Sequence, residues 1–207
     1  MLKFNTPPSK QQLHVVKGII FALCLLPLLR LILLAALDDL SANPIEFIEH
    51  STGFWALVLL LITLSITPLR ALGVLDNWTI AVRRMLGLFM FFYACLHVAT
   101  YLWLDFDFVW EDIFVDVGDH PRILVGFLAF VLAIPLAVTS NNMSVRRLGT
   151  RWKKLHRLVY ILAVLAVVHF LWLVKQDLRE PLLYALILAV LLGWRIHNYF
   201  SKAIQKS

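Results

Sequence analysis

The sequence predicts an all-α integral membrane protein, a bundle of six transmembrane helices with both termini in the cytoplasm. Three observations support this fold class. Hydrophobic residues make up 61% of the 207 residues, and the mean hydropathy is +0.81, whereas a soluble domain is about half apolar. The apolar residues come in blocks of about twenty, enough for a helix to cross about 30 Å of hydrocarbon. Because only helices or closed barrels satisfy their own backbone there, we predict helices and no attached soluble catalytic domain.

Hydropathy places the membrane-crossing segments at six positions along the chain: 18–37, 53–72, 85–104, 122–140, 156–174 and 181–200. The first of these segments is too long for a signal-peptide core and shows no small-residue cleavage site, so we interpret it as an uncleaved anchor. The chain then divides into a cytoplasmic N-terminal segment, 1–17, a membrane domain, 18–200, and a cytoplasmic tail, 201–207.

Charge is distributed unevenly between the connections. Lysine and arginine concentrate in the N-terminal segment, around the second and fourth connections and at the C-terminus, while the third connection, "DFDFVWEDIFVDVGDHPR", is acidic. The positive-inside rule therefore puts both termini in the cytoplasm. The net charge of +6 reflects this topology, and nucleic-acid binding is not predicted because no soluble basic face exists. The acidic connection is either a solvated loop or a surface that steers a basic partner.

Two histidines lie inside predicted spans at matching depth. His97 in span three and His169 in span five are both about 18–20 Å from the cytoplasmic helix ends, at roughly 1.5 Å per residue. Ligand-type side chains within a span are functional candidates by default. Two facing imidazoles suit the iron of a non-covalently held haem, since the sequence has no CxxCH motif. The alternative is that each histidine hydrogen-bonds a neighbouring helix.

Other metal assignments are weaker. A lone zinc ion normally takes four ligands, and only Cys95 could assist the two histidines at this depth.

His156 lies thirteen residues before His169, which places the two side chains about 140° apart around an ideal helix. A kink would correct that angle, but the sequence shows none. His156 is therefore either a ligand of an inner haem or an interfacial histidine among basic residues.

Four arginines are candidate cofactor-binding residues. Arg30 lies inside span one near the depth of the two histidines, so it pairs with a haem propionate or snorkels to the surface. Arg83, Arg84 and Arg151 lie at the cytoplasmic end. They either neutralise a flavin phosphate or inner propionates, or simply follow the positive-inside rule. Small residues such as Gly87 and Gly126 leave room for a flat macrocycle or serve ordinary helix packing.

Several motifs together resemble one protein family. They are "SITPLR", "RRMLGL", "LHVATYLW", "HPRILVGFLAF", "AVTS" and "RRLGTRWKKLHRLVYILAVLAVVHFLWLVK". They are similar to those of the MsrQ (YedZ) family, the haem-binding membrane subunits of bacterial periplasmic methionine sulfoxide reductase systems. The resemblance covers roughly residues 15 to 200, and its most specific part is the basic stretch that runs through the last two intramembrane histidines.

The resemblance implies a ferric-reductase-like transmembrane domain in the bacterial inner membrane. It implies b-type haem, one or two copies, with His97, His156 and His169 as the haem-associated histidines, and it implies FMN, although no FMN motif is visible. Electrons would come from the quinone pool or a cytosolic flavin reductase. They would pass to MsrP, a periplasmic molybdenum enzyme that reduces oxidised methionine in proteins. Oxidase relatives carry two histidines on span three, whereas this chain has one.

We therefore predict an electron-transfer subunit whose catalytic partner reduces methionine sulfoxide. Two neutral imidazoles leave iron no open position, which favours electron transfer over oxygen chemistry. The alternatives are a transmembrane metalloreductase and a haem-free proton or solute transporter, which would also use buried His and Arg. Direct oxidation of a nicotinamide by the familiar route is excluded, because no GxGxxG motif follows a strand.

Overall fold

A computed structural model describes residues 8–174 and 177–204, the last three without their side chains. The predicted terminal segments 1–17 and 201–207 lie partly outside the described residues, and the division into domains stays a prediction. The α-helices of the described chain are α1 (Lys10–Ala36), α2 (Pro44–Ala71), α3 (Ile80–Thr100), α4 (Trp110–Asp119), α5 (Pro121–Val138), α6 (Asn142–Leu148), α7 (Thr150–Leu155), α8 (Leu158–Leu173) and α9 (Arg179–Ile204).

Among the described residues, six helical segments are long and apolar enough to cross a membrane, which confirms the six predicted spans and the multi-pass fold. They are Lys10–Ala36, Pro44–Ala71, Asn77–Asp105, Pro121–Val138, Thr150–Leu173 and Arg179–Ser201. The third contains α3 with the short 3-10 turn before it and a π-helical turn, Tyr101–Asp105, after it. The fifth contains α7 and α8. The side of the membrane on which the termini lie stays a prediction.

The first two helices begin eight or nine residues earlier than hydropathy predicted, because polar caps decide where a helix begins. Ser9 and Gln12 form a capping box in front of α1, each side chain bonding the backbone N–H of the other. Asn43 caps α2 by accepting a hydrogen bond from the N–H of Glu46, and Pro44 occupies the first helical position. These signals are in the sequence, but they lie in polar residues outside the apolar blocks.

The bundle is built from two tightly packed helix pairs. α2 packs mainly on α3, and α5 packs mainly on α8, with lighter contacts joining the pairs. The core contains side chains from both pairs, and its most buried members include Leu60, Tyr93 and Ala163. α1 and α9 are peripheral, α1 on α2 and α3, and α9 on α2 and α8. The space between the two pairs is therefore where side chains from α3 and α8 can meet.

The two ends of the bundle differ in charge. We call the end that carries Arg70, Arg83, Arg84 and Arg151 the basic end, and the opposite end, which carries α4, the acidic end. The acidic connection is not an irregular loop, since α4 occupies most of it and buries Ile113. A hydrogen bond of 2.7 Å from the Tyr101 hydroxyl to the Asp116 carboxylate ties α4 to the π-helical turn.

Candidate functional site

The rings of His97 and His169 approach each other between the two helix pairs, near the acidic end. His97 lies close to the end of α3, and His169 lies close to the end of α8. Their ring centroids are 6.3 Å apart, and the ring planes are inclined by 69°. Helices that run in the same direction bring side chains at equal depth to one level, so the structure brings together the pair selected by depth.

Each of these two imidazoles is held by a backbone carbonyl of a neighbouring helix. Nδ1 of His97 donates to the carbonyl oxygen of Glu49 on α2 at 3.0 Å. Nδ1 of His169 donates to the carbonyl oxygen of Arg122 on α5 at 2.7 Å. Because a carbonyl oxygen only accepts, Nδ1 must carry the proton in both rings. Nε2 of each neutral ring then keeps its lone pair, which is the tautomer that a metal ligand needs.

The geometry and the donor set fit the axial ligation of a haem. A metal–imidazole bond is about 2 Å long, so two imidazoles on opposite sides of one metal have centroids about 6 Å apart. Within the described ranges, no group of three or more His, Cys, Asp or Glu side chains is arranged to hold a metal ion. A macrocycle that supplies its own four nitrogens needs only two protein ligands, and His97 with His169 provide that number.

His156 lies at the basic end in a different environment. The fifth span is not one continuous helix, because α7 ends before His156 and α8 begins after Arg157, with a turn at these two residues. The sequence did not reveal this break. Nε2 of His156 lies 3.0 Å from the hydroxyl of Thr139, and its ring stacks on Trp152 with centroids 3.9 Å apart. The ideal-helix angle of about 140° between His156 and His169 therefore does not apply.

The hydrogen bond of His156 favours the opposite tautomer. The Thr139 hydroxyl donates its only proton to the carbonyl oxygen of Pro135 at 2.6 Å, so its contact with Nε2 leaves it as the acceptor. Nε2 of His156 then carries a proton, whereas Nε2 of His97 and His169 does not. Ligation of a metal through Nε2 of His156 requires this bond to Thr139 to be exchanged.

The four candidate arginines fall into two groups. At the basic end, Arg83 donates to the Thr67 hydroxyl at 3.1 Å, Arg84 donates to the Asn142 side-chain oxygen at 2.7 Å, and both lie within electrostatic range of His156. Arg151 is exposed at the start of α7, and Arg30 is exposed on the peripheral α1. The structure thus gathers Arg83 and Arg84 around His156, while the role of all four in cofactor binding stays a prediction.

Sequence reasoning gave no site role to His50 and Arg195. The His50 ring lies 6.1 Å from that of Phe170, which directly follows His169. Arg195 lies over the ring of Tyr160 and donates to the carbonyl oxygens of Leu64 and Leu191. Arg195 could have been selected from the sequence, because an arginine inside a predicted span is a candidate functional residue.

Comparison with known proteins identifies the family. Residues 52–167, more than half of the chain, match the family described as "Ferric reductase like transmembrane component". A protein of Herminiimonas arsenicoxydans is 52% identical over 199 residues, which cover 95% of this chain and 90% of that relative. It is named "Protein-methionine-sulfoxide reductase heme-binding subunit MsrQ".

The chain belongs to the MsrQ family. Two further MsrQ relatives carry the same name. One, from Xanthomonas campestris pv. campestris (strain B100), is 56% identical over 164 residues, covering 79% of this chain and 75% of the relative. The other, from Azospira oryzae, is 48% identical over 191 residues, covering 91% and 82%. No solved structure matches the chain. These matches confirm the resemblance to the MsrQ family and the ferric-reductase-like domain that the sequence motifs predicted. Together with the six apolar helices among the described residues, they indicate a multi-pass bacterial membrane protein.

Proposed function

We propose that this MsrQ chain is a haem b-binding electron-transfer subunit, with His97 and His169 as the axial ligands of one haem. The observation that carries the proposal is the closeness of the two rings, whose centroids are 6.3 Å apart, with both Nδ1 atoms hydrogen-bonded to backbone carbonyls. The MsrQ relatives named as heme-binding subunits support the choice of cofactor. Bound haem would supply one-electron redox chemistry to the membrane interior.

The protein's part in this chemistry is to fix two neutral ligands. The carbonyls of Glu49 and Arg122 hold the imidazoles by their Nδ1 protons, so the lone pairs of Nε2 stay available without any change of protonation. His97 and His169 would hold the haem iron, and the bound haem would supply electron transfer. The reduction of methionine sulfoxide is assigned to a partner subunit.

The charge distribution supports one orientation of the chain in the membrane. We place the basic end in the cytoplasm and the acidic end in the periplasm of a cell with the protein in its inner membrane. The donor is the quinone pool or a cytosolic flavin reductase. The acceptor is a periplasmic molybdopterin-containing catalytic subunit, MsrP, that repairs oxidised methionine in proteins. The His97–His169 pair then lies on the acceptor's side of the membrane.

The basic end is the candidate position for a second cofactor. Arg83 and Arg84 lie near His156 without an acidic partner among the described ion pairs, and Arg151 opens the neighbouring helix. Their charge suits the phosphate of FMN or the propionates of a second haem. The Thr139 bond to Nε2 of His156 favours the anion-binding role over a second axial ligand, because ligation would have to displace it.

The deciding experiment is an absorption spectrum with an iron-to-protein ratio on the purified full chain. We expect His97→Ala and His169→Ala each to lose most of the bound haem while remaining inserted in the membrane. His50→Ala is a matched control, since His50 lies beside Phe170 at the same end, and it should keep its haem. Unchanged haem in both axial variants would refute the assignment.

Further measurements separate the other functions. A colourless wild-type protein would support a transporter, and reduction of added iron or copper without any periplasmic partner would support a metalloreductase. His156→Ala should leave the haem of the other two histidines in place. Loss of about half of the iron would instead show a second haem at the basic end.

Arg30 has its own test, by redox titration of the haem. A cation that pairs with a propionate stabilises the reduced haem, so Arg30→Leu is expected to lower the midpoint potential. An unaltered potential would mean that the exposed Arg30 side chain reaches the lipid headgroups instead.

A further inference from the structure

The two histidines proposed as axial ligands contact the same arrangement of a backbone carbonyl and a glycine on two different helices. On α2, the carbonyl of Glu49 accepts from His97 and, at 3.0 Å, from the hydroxyl of Thr52. Gly53, four residues after Glu49, lies against the His97 ring. On α5, the carbonyl of Arg122 accepts from His169, and Gly126, again four residues later, touches that ring. We call this unit a carbonyl–glycine pair.

Helix geometry explains the spacing. In an α-helix the carbonyl of residue i points toward the N–H of residue i+4. The Cα–Cβ bond of residue i+4 tilts back toward the N-terminus, so its side chain covers that carbonyl. A glycine at i+4 uncovers the oxygen, which has a second lone pair and can then accept from an outside donor. The carbonyl thus bonds an imidazole without leaving its helix.

The distances show how little space a side chain would have. A Cβ on Gly126 would lie 2.8 Å from Cε1 and 2.9 Å from Nδ1 of His169. A Cβ on Gly53 would lie 3.1 Å from both Cε1 and Nδ1 of His97. The first distance is shorter than a non-bonded carbon contact allows, and the second is tight. Any side chain at these positions must push its ring away from the carbonyl.

We propose that the two carbonyl–glycine pairs are positioning elements for the haem, each fixing the tautomer and the rotation of one axial imidazole. Glu49 and Arg122 contribute through their backbone oxygens, and Gly53 and Gly126 contribute through the absence of a side chain. This inference rests on the proposed ligation by His97 and His169. It adds residues on α2 and α5 to a site whose ligands lie on α3 and α8.

Two other intramembrane glycines provide matched controls. A Cβ on Gly87 would meet only the methyl group of Thr63, at 3.9 Å, and a Cβ on Gly193 would meet no atom within 4 Å. Alanine at either position fits without displacing a neighbour. Both controls change the same residue type to the same residue type inside a membrane helix.

The first test measures the haem site in the full-length protein. Gly126→Ala is expected to weaken haem retention about 10-fold or more, the effect typical of groups that orient a metal-ligating histidine, and to shift the low-spin signal in electron paramagnetic resonance. Gly53→Ala should act in the same direction but less strongly, because its clash is milder. Gly87→Ala and Gly193→Ala should match wild type. If Gly126→Ala also matches wild type, the inference is wrong.

The second test uses the haem-free protein and separates ring contact from general helix packing. Alanine favours a helix over glycine wherever it fits. Gly126→Ala should therefore lower the melting temperature of the apoprotein when His169 is present and raise it in a His169→Ala background. An equal fall in both backgrounds would show that Gly126 serves helix packing and would overturn the inference.

The two proposals fail in different ways. If His97→Ala and His169→Ala keep their haem, the ligation is wrong whatever the glycine variants do. If those histidine variants lose haem while Gly126→Ala behaves like Gly193→Ala, the ligation stands and the carbonyl–glycine pairs are refuted.

Discussion

Removing the hydroxyl of Tyr93 is expected to loosen α1 from the bundle. The Tyr93 side chain, on α3, is only 1% exposed. Its hydroxyl donates to the carbonyl oxygen of Cys24 at 2.7 Å and accepts from the N–H of Leu28 at 3.2 Å. These are the two groups that a regular helix would pair with each other, next to Pro27, which lacks an N–H. The phenol therefore joins α3 to the α1 backbone at a proline.

The magnitude follows from the two hydrogen bonds. A side-chain hydrogen bond between membrane helices contributes on average about 0.6 kcal/mol, and at most about 1.7 kcal/mol, and Tyr93→Phe removes two such bonds. Tyr93→Phe should therefore favour detachment of α1 by about 1–2 kcal/mol, which is a factor of about 5–30 in population. Among the described α1 residues only Cys24 and Leu31 are buried, so few other contacts compensate.

Cys24 provides the assay, because this residue is only 7% exposed and its thiol becomes accessible when α1 detaches. In a Cys95→Ser background, which leaves one cysteine, Tyr93→Phe should speed labelling by a thiol-reactive dye about 5- to 30-fold. Tyr199→Phe is the control, since Tyr199 is 71% exposed. Equal labelling rates in the two variants would refute the reasoning.

Three further predictions test other parts of the fold. Thr139→Val removes the oxygen that bonds His156, so it should lower the free energy of unfolding by about 1 kcal/mol. The haem proposed at the acidic end should be retained, and its loss would contradict the independence of the two ends. Tyr101→Phe removes the bond to Asp116, so hydrogen exchange in α4 should speed up while exchange in α5 stays unchanged. Equal protection of α4 in the variant would show that the packing of α4 on α5 is enough to hold it. Gly149 has φ +50°, a region that disfavours a Cβ, so Gly149→Ala should lower the free energy of unfolding by about 1–3 kcal/mol through backbone strain. The measurement is the melting temperature, which should fall; an unchanged melting temperature would show that the backbone relaxes.

Much of the fold could be predicted from the chain alone. Apolar blocks of membrane-crossing length have one solution for their backbone polar groups, so six spans follow from composition and order. The beginnings of α1 and α2 were missed because caps at Ser9 and Asn43, rather than hydropathy, set them. The break at His156 was missed because it contains no proline or glycine to signal it.

The common depth of His97 and His169 can be read from the chain, since rise per residue converts position in a span into height in the membrane. Folding sets how close the two rings lie, which nitrogen carries the proton, and which helices hold the rings. Those properties depend on the carbonyls of Glu49 and Arg122 and on two glycines of α2 and α5. These groups are backbone carbonyls and glycines that lie far from the histidines in the chain, so no pattern of side chains along the sequence could pair them with the histidines.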